Sequence, residues 1–136
     1  MSRFHWRETL RLGHPVVDGQ HLELITRVNL FQAAVEAGEG QARLVELFDE
    51  LDRYAREHFR LEERLMEQDR YPGLNVHRSE HARFSATVAG FRLRLLRGEA
   101  GLPAVVLRHL EEWLIRHVAE VDTAMVEFLR AARRKR

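Results

Sequence analysis

The chain has 136 residues, of which 45% are hydrophobic and 32% charged, a balance typical of one globular domain with a core of its own. It contains no cysteine, which excludes disulfides, iron–sulfur clusters and thiolate-bound metals. The formal net charge is +1, and five of the positive charges lie at or beyond Arg130, so the rest of the chain is acidic.

The same features constrain partners and location. No aromatic residue stands among the basic residues at the C-terminus, so we expect a solvated helix end there and no nucleic-acid partner. The first 13 residues hold no apolar run of the length that a signal peptide needs, and no later stretch is long enough to span a bilayer. We therefore expect a cytoplasmic protein without a membrane span.

Three segments rich in helix-breaking residues divide the chain into four helical stretches. They are residues 38–40, 71–73 and 98–101. Because these connections are short, consecutive helices should run antiparallel. We therefore predict an all-α, up-down-up-down four-helix bundle.

We predict a single domain over residues 1–136. It comprises an extended N-terminal arm over 1–17, the bundle over 18–130 and a basic tail over 131–136. Asp18 directly precedes the first apolar periodicity, so it is the predicted N-cap of the first helix. The arm offers Phe4, Trp6 and Leu10 for packing against the bundle.

Each predicted helix carries an apolar stripe with residues three and four apart, and each stripe contains polar residues. In chain order these polar residues are His21, then His58 and Glu62, then His77 and His81, then His117. The stripe of the fourth helix reads Leu107, Leu110, Leu114, His117, Val121 and Phe128. A polar side chain in a core is costly unless a partner satisfies it, so the six residues need a common explanation.

The six polar residues should lie at one height in the bundle. His21 stands about 18 residues before the first turn, and His58 stands about 19 residues after it. His81 and His117 stand about 19 and about 17 residues from the third turn. The second turn brings the end of helix two beside the start of helix three, so one polar layer is expected near one end.

Imidazole and carboxylate ligands suit iron, zinc or manganese, whereas calcium and magnesium prefer oxygen alone. The pairs His58–Glu62 and His77–His81 have i, i+4 spacing, so each pair projects from one helix face. Six ligands are too many for one tetrahedral zinc ion. The residues therefore indicate a site for two metal ions.

These residues resemble the hemerythrin family, specifically its small single-domain bacterial members. The resemblance covers almost the whole chain and rests on four motifs. They are Asp18-Gly19-Gln20-His21, His58-Phe59-Arg60-Leu61-Glu62-Glu63, His77-Arg78-Ser79-Glu80-His81, and Trp113-Leu114-Ile115-Arg116-His117 with Asp122 five residues on.

The resemblance implies a non-haem centre of two iron ions joined by a hydroxo or oxo bridge. One iron would be ligated by His77, His81 and His117, the other by His21 and His58, with Glu62 and Asp122 bridging them. Asp122 comes from the resemblance alone, because five α-helical residues rotate about 140° from His117 and Glu120 lies nearer the stripe.

The implied function is reversible dioxygen binding, for storage, transport or delivery to an oxygen-consuming enzyme, by a protein that is not itself an enzyme. No long exposed apolar stripe in the sequence demands a dimer, so we expect a monomer. Coordination counting leaves one open position, on the iron with two histidines. A dry apolar pocket would slow oxidation of the iron. The residues predicted to line this oxygen pocket are Ile25, Phe59, Trp113, Leu114 and Val118.

Alternatives remain open on the sequence. The same site could serve an oxidase, a peroxidase, a nitric-oxide-detoxifying enzyme, or a sensor of oxygen, redox state or nitric oxide. A zinc peptidase would use His77 and His81 as ligands with Glu80 as general base, but this leaves the other histidines unexplained. A metal-free interaction module is the remaining class.

Overall fold

The computed structural model describes residues 11–135, which form four antiparallel helical rods. The helices are α1 (Pro15–Glu36), α2 (Gln41–Gln68), α3 (Leu74–Leu96), α4 (Leu102–Arg116) and α5 (Thr123–Arg134), with a π-helical segment (His117–Asp122) joining α4 to α5 in the fourth rod. The predicted all-α four-helix bundle is confirmed. None of the described helices is both long and apolar enough to cross a membrane.

The first and third turns end their helices through glycine. Gly38 and Gly98 each follow a helix C-cap and adopt φ values of 68° and 69°. A side chain is strained in this left-handed conformation, so glycine is favoured where α1 and α3 must stop. The short connections that result keep neighbouring rods antiparallel.

The start of α1 differs from the prediction. The helix begins at Pro15, and its N-cap is His14, whose Nδ1 accepts a hydrogen bond from the backbone N–H of Val17 at 3.4 Å. Proline suits a first helical turn because it lacks the N–H that would stay unpaired there. Asp18, predicted as the N-cap, instead accepts hydrogen bonds from the backbone of Leu12 and Gly13, and its assignment as the cap was wrong.

The helices extend further into both predicted terminal segments than expected. Residues 15–17 of the predicted arm already belong to α1, while Phe4, Trp6 and Leu10 lie outside the described residues. At the other end α5 continues to Arg134, so the basic tail begins as helix.

The core consists of two apolar clusters with the polar layer between them. The larger cluster fills the bundle on the side of the first and third turns, and it includes Phe31, Phe48 and Leu107. The smaller one contains Val17, Met66, Met125, Val126 and Leu129. Full burial of such a side chain contributes about 1.5–3 kcal/mol, so the two clusters hold the rods together around the polar layer.

The fourth rod changes register at its π-helical segment. The predicted stripe continued through Val121 and Phe128, but both are only half-buried. The buried residues are Asp122, Met125, Val126 and Leu129. A π-turn accommodates one residue more than an α-turn, which shifts the following stripe by one position, so the prediction beyond His117 was wrong.

Candidate metal centre

Seven polar side chains from all four rods meet in one buried layer. Each of them is 3% exposed or less. Their donor atoms form two groups in which every atom lies within 4.8 Å of the others: Glu62, His77, His81, His117 and Asp122; and His21, His58, Glu62 and Asp122. The structure thus brings together the six residues predicted from periodicity and the seventh taken from the resemblance.

Glu62 divides its two oxygens between the two groups. Its Oε2 lies 3.0 Å from Nε2 of His58 and 3.6 Å from Nε2 of His21. Its Oε1 lies 3.1 Å from Nε2 of His81 and 3.3 Å from Nε2 of His77. A carboxylate in this position faces two separate sets of imidazoles.

Asp122 is arranged in the same way. Its Oδ2 lies 3.0 Å from Nε2 of His21, while its Oδ1 lies 3.0 Å from Nε2 of His77 and 3.1 Å from Nε2 of His117. The two carboxylates therefore repeat one geometry, with one oxygen turned to each group.

The π-helical segment places Asp122 in the site. In an α-helix five residues rotate about 140°, which would turn Asp122 away from the face that carries His117. The wider π-turn, with its i to i+5 period, brings the two residues onto one face. Glu120, which α-helical geometry had favoured, is exposed.

These close contacts are not hydrogen bonds, and this pattern fits a metal site. Among the described residues, several atoms of the layer are buried without a hydrogen-bond partner. They are Nε2 of His21, His77, His81 and His117 and both carboxylate oxygens of Glu62 and Asp122. Buried polar atoms are almost always satisfied, and here they converge on shared space between the rods. Cations bound there would satisfy them together.

Two imidazoles form hydrogen bonds through Nδ1, the ring nitrogen that points away from the layer. Nδ1 of His58 lies 2.5 Å from Oε1 of Gln20, and Nδ1 of His81 lies 3.1 Å from Oε2 of Glu63. Since both partners are acceptors, each ring donates its Nδ1–H and keeps the Nε2 lone pair directed into the layer. Such outer hydrogen bonds are typical of metal-ligating histidines.

With the site described, comparison with known proteins identifies the family. The model described as "Hemerythrin HHE cation binding domain" matches residues 12–129. The chain belongs to the hemerythrin family. Family membership and the buried cluster of histidines and carboxylates together point to a non-haem iron site.

Two curated relatives, both called bacteriohemerythrin, come from Stenotrophomonas maltophilia and Pseudomonas paraeruginosa. They are 32% and 31% identical to this hemerythrin, and each alignment covers 96% of this chain and 84% of the relative. A crystal structure of wild-type hemerythrin matches the fold with a TM-score of 0.86 at 23% identity, covering 94% of this chain and 98% of that one.

Aromatic rings cover one side of the site in this hemerythrin. Phe59 stacks on His81 with ring centroids 3.9 Å apart and an angle of 9° between the planes. Trp113 stacks on His117 at 4.3 Å and 13°. These contacts fix the orientation of both imidazoles and exclude water from one face of each ring.

A small apolar cavity of about 20 Å³ lies next to the layer, which is room for one water-sized molecule. It is lined by Leu24, Val28, Leu51, Ala55, Phe59, Phe84, Leu110, Trp113 and Leu114. Three of the five residues predicted for the pocket, Phe59, Trp113 and Leu114, are among them. Ile25 and Val118 are buried but do not line it.

Three of the six lining residues that sequence reasoning missed have a positional signal. Leu24 lies three residues after His21, and Ala55 lies three residues before His58. Phe84 lies three residues after His81, and Leu114, which was predicted, lies three residues before His117. Each rod therefore contributes to the cavity wall one side chain that lies one helical turn from a histidine. These positions could have been predicted from the sequence.

Burial and charge act in opposite directions on the metal-free layer. Burial lowers the pKa of His21 and of His77, but the close contacts with the negatively charged carboxylates of Asp122 and Glu62 outweigh it and raise each pKa to about 9. Burial raises the pKa of Glu62, but His58 and His21 outweigh it and hold that pKa well below its usual range. Protons on His21 and His77 thus offset the negative charge of the two carboxylates when no metal cation is bound.

Glu80, the general base of the peptidase alternative, lies off the site. Its Oε1 is 3.5 Å from an Nη atom of Arg116, and it belongs to neither group of converging donors. The H-x-x-E-H pattern of residues 77–81 therefore contributes its two histidines and not its glutamate.

Proposed function

We propose that this hemerythrin holds two iron ions and binds dioxygen reversibly. The observation that carries the proposal is that Glu62 and Asp122 belong to both groups of donor atoms, and each turns one carboxylate oxygen to each group. His77, His81 and His117 hold one iron, and His21 and His58 hold the other. A hydroxide or oxide would complete the pair as a further bridge, and the open position would fall to the iron with two histidines.

The set of ligand residues favours reversible binding of dioxygen over its use to oxidise a substrate. When bound, a ferrous pair would supply the two electrons and the open position that reversible dioxygen binding requires. Five neutral imidazoles and two carboxylates donate less negative charge than the four-carboxylate sites of ferritin-like proteins. This weaker anionic donation stabilises the ferrous state.

The apolar surroundings protect the bound state from water. The cavity adjoins the histidine layer on the side of Leu24, Ala55 and Leu114, and its volume of about 20 Å³ suits one diatomic molecule. Its lining offers no side-chain proton donor except the indole of Trp113. Restricted access of water and protons slows irreversible oxidation, which suits storage, or delivery to an oxygen-consuming enzyme.

The test is an optical spectrum of the iron-loaded, reduced protein as dioxygen is admitted and then removed. We expect a visible charge-transfer band that appears with dioxygen and disappears when it is removed. The variant His58→Ala should lose this band, whereas His109→Ala, which removes a histidine that packs on Phe91 away from the site, should keep it. Permanent oxidation on the first exposure of the wild-type protein would contradict the proposal and favour an enzyme or a sensor.

A further inference from the structure

The two groups of donors have different partners behind them. His81, in the group with three histidines, donates its Nδ1–H to the carboxylate of Glu63. His58, in the group with two histidines, donates its Nδ1–H to the amide oxygen of Gln20. One half of the site is therefore supported by a negative charge and the other by a neutral dipole.

Glu63 is held by a chain of contacts that leads to the surface. Its Oε2 accepts from His81, while its Oε1 accepts from Nε of Arg78 at 3.0 Å. An Nη atom of Arg78 also donates to Oε1 of Glu67 at 2.6 Å. Exposure increases along this chain, from the buried ring through half-buried Glu63 to exposed Arg78 and Glu67. The contact with Arg78 thus fixes the orientation of the Glu63 carboxylate, so that its Oε2 faces the imidazole of His81.

A carboxylate and an amide do not affect an imidazole equally. Hydrogen bonds to an ionised acceptor are about twice as strong as those between neutral groups. Donation of the Nδ1–H to a carboxylate raises the electron density at Nε2 and fixes the tautomer and the angle of the ring. Loss of such an outer partner typically lowers metal affinity about 10- to 100-fold.

We propose that Glu63 is a positioning residue that acts through His81 and strengthens metal binding in the three-histidine half, while Gln20 leaves the two-histidine half weaker. This inference rests on the proposed two-metal site. It assigns to Glu63 more than the ion pair with Arg78 that joins α2 to α3.

The test uses the full-length, metal-free protein titrated with Co²⁺, with Zn²⁺ as a second probe. We expect two binding steps in the wild-type protein, and a loss of about 10- to 100-fold in the affinity of the tighter step in Glu63→Gln. Gln20→Glu should strengthen the weaker step. The matched control is Glu67→Gln, which changes a carboxylate that contacts Arg78 but no imidazole, and it should leave both steps unchanged.

A spectroscopic readout separates an electronic effect from a structural one. In the zinc-loaded protein, ¹H–¹⁵N NMR should place the Nδ1–H proton of His81 further downfield than that of His58. Glu63→Gln should move the His81 signal upfield and leave the His58 signal in place. Equal effects of Glu63→Gln and Glu67→Gln on affinity, or an unmoved His81 signal, would overturn the inference. A wild-type protein that binds fewer than two ions would instead overturn the proposed function.

Discussion

Nε2 of His117 lies 3.1 Å from Oδ1 of Asp122, although the two residues are five positions apart in one continuous helical rod. The contact exists because residues 117–122 form a π-helix, a rare conformation that occurs frequently at functional sites. The extra residue turns a carboxylate into the histidine layer and also sets the register of α5.

The first prediction concerns this carboxylate. Asp122→Asn should lower the iron content of the reconstituted protein from two ions per chain to one or none, because an amide is a weak bridge between two cations. Glu120→Gln is the matched control, since Glu120 is exposed on the same segment and should be silent. Elemental analysis of both variants measures the outcome. Full iron content in Asp122→Asn would remove Asp122 from the ligand set.

The second prediction is a reversal of the pH dependence of stability on metal loading. In the metal-free protein the pKa values of His21 and His77 are raised to about 9 from an ordinary value of about 6.5. Between these values the folded state binds more protons than the unfolded state, so the free energy of unfolding falls as pH rises. The carboxylates of Glu62 and Asp122 have lowered pKa values and stay ionised throughout this interval.

Metal loading should invert that slope. A metal ion needs neutral imidazoles and competes with protons, so the stability of the loaded protein should rise over the same pH interval. Urea unfolding of the metal-free and zinc-loaded forms at several pH values compares the two slopes. The variant His109→Gln should behave like the wild type in both forms. Parallel slopes would contradict the competition between protons and metal at these rings.

The third prediction concerns the cavity. Leu114→Ala should enlarge it, admit water and speed the irreversible oxidation of the oxygenated protein, with a stability cost of about 2–5 kcal/mol. Leu107→Ala is the control, because Leu107 is fully buried on the same rod but does not line the cavity. It should lower stability by a similar amount and leave the oxidation rate unchanged. Equal oxidation rates in the two variants would show that cavity volume does not control water entry.

Much of the site could be predicted from the sequence, because helical periodicity determines the face on which a residue lies and the turn positions determine its height in the bundle. The spacing of His58 and Glu62, and of His77 and His81, fixed which face of each helix they share. Counting residues from the turns then predicted a common height. Both steps need only the rise and rotation of an α-helix.

The remainder depends on local departures from ideal geometry. The π-helical segment cannot be inferred from apolar spacing. Val121 lies four residues after His117 and fits an uninterrupted α-helical stripe, so nothing in the pattern indicates that Asp122, five residues after His117, is buried instead. The cap at His14 was missed because histidine is a less common N-cap than aspartate, and Asp18 stands close by. Ile25 and Val118 were assigned to the pocket as buried neighbours of the site, but neither is among the cavity-lining residues.

The central claim is that seven side chains of one chain hold two iron ions in a shared layer. Anomalous diffraction at the iron absorption edge, from crystals of the reconstituted protein, tests it most directly. We predict two peaks, one among His77, His81 and His117 and the other beside His21 and His58, with Glu62 and Asp122 in contact with both. A single peak, or two peaks without a shared carboxylate, would contradict the account.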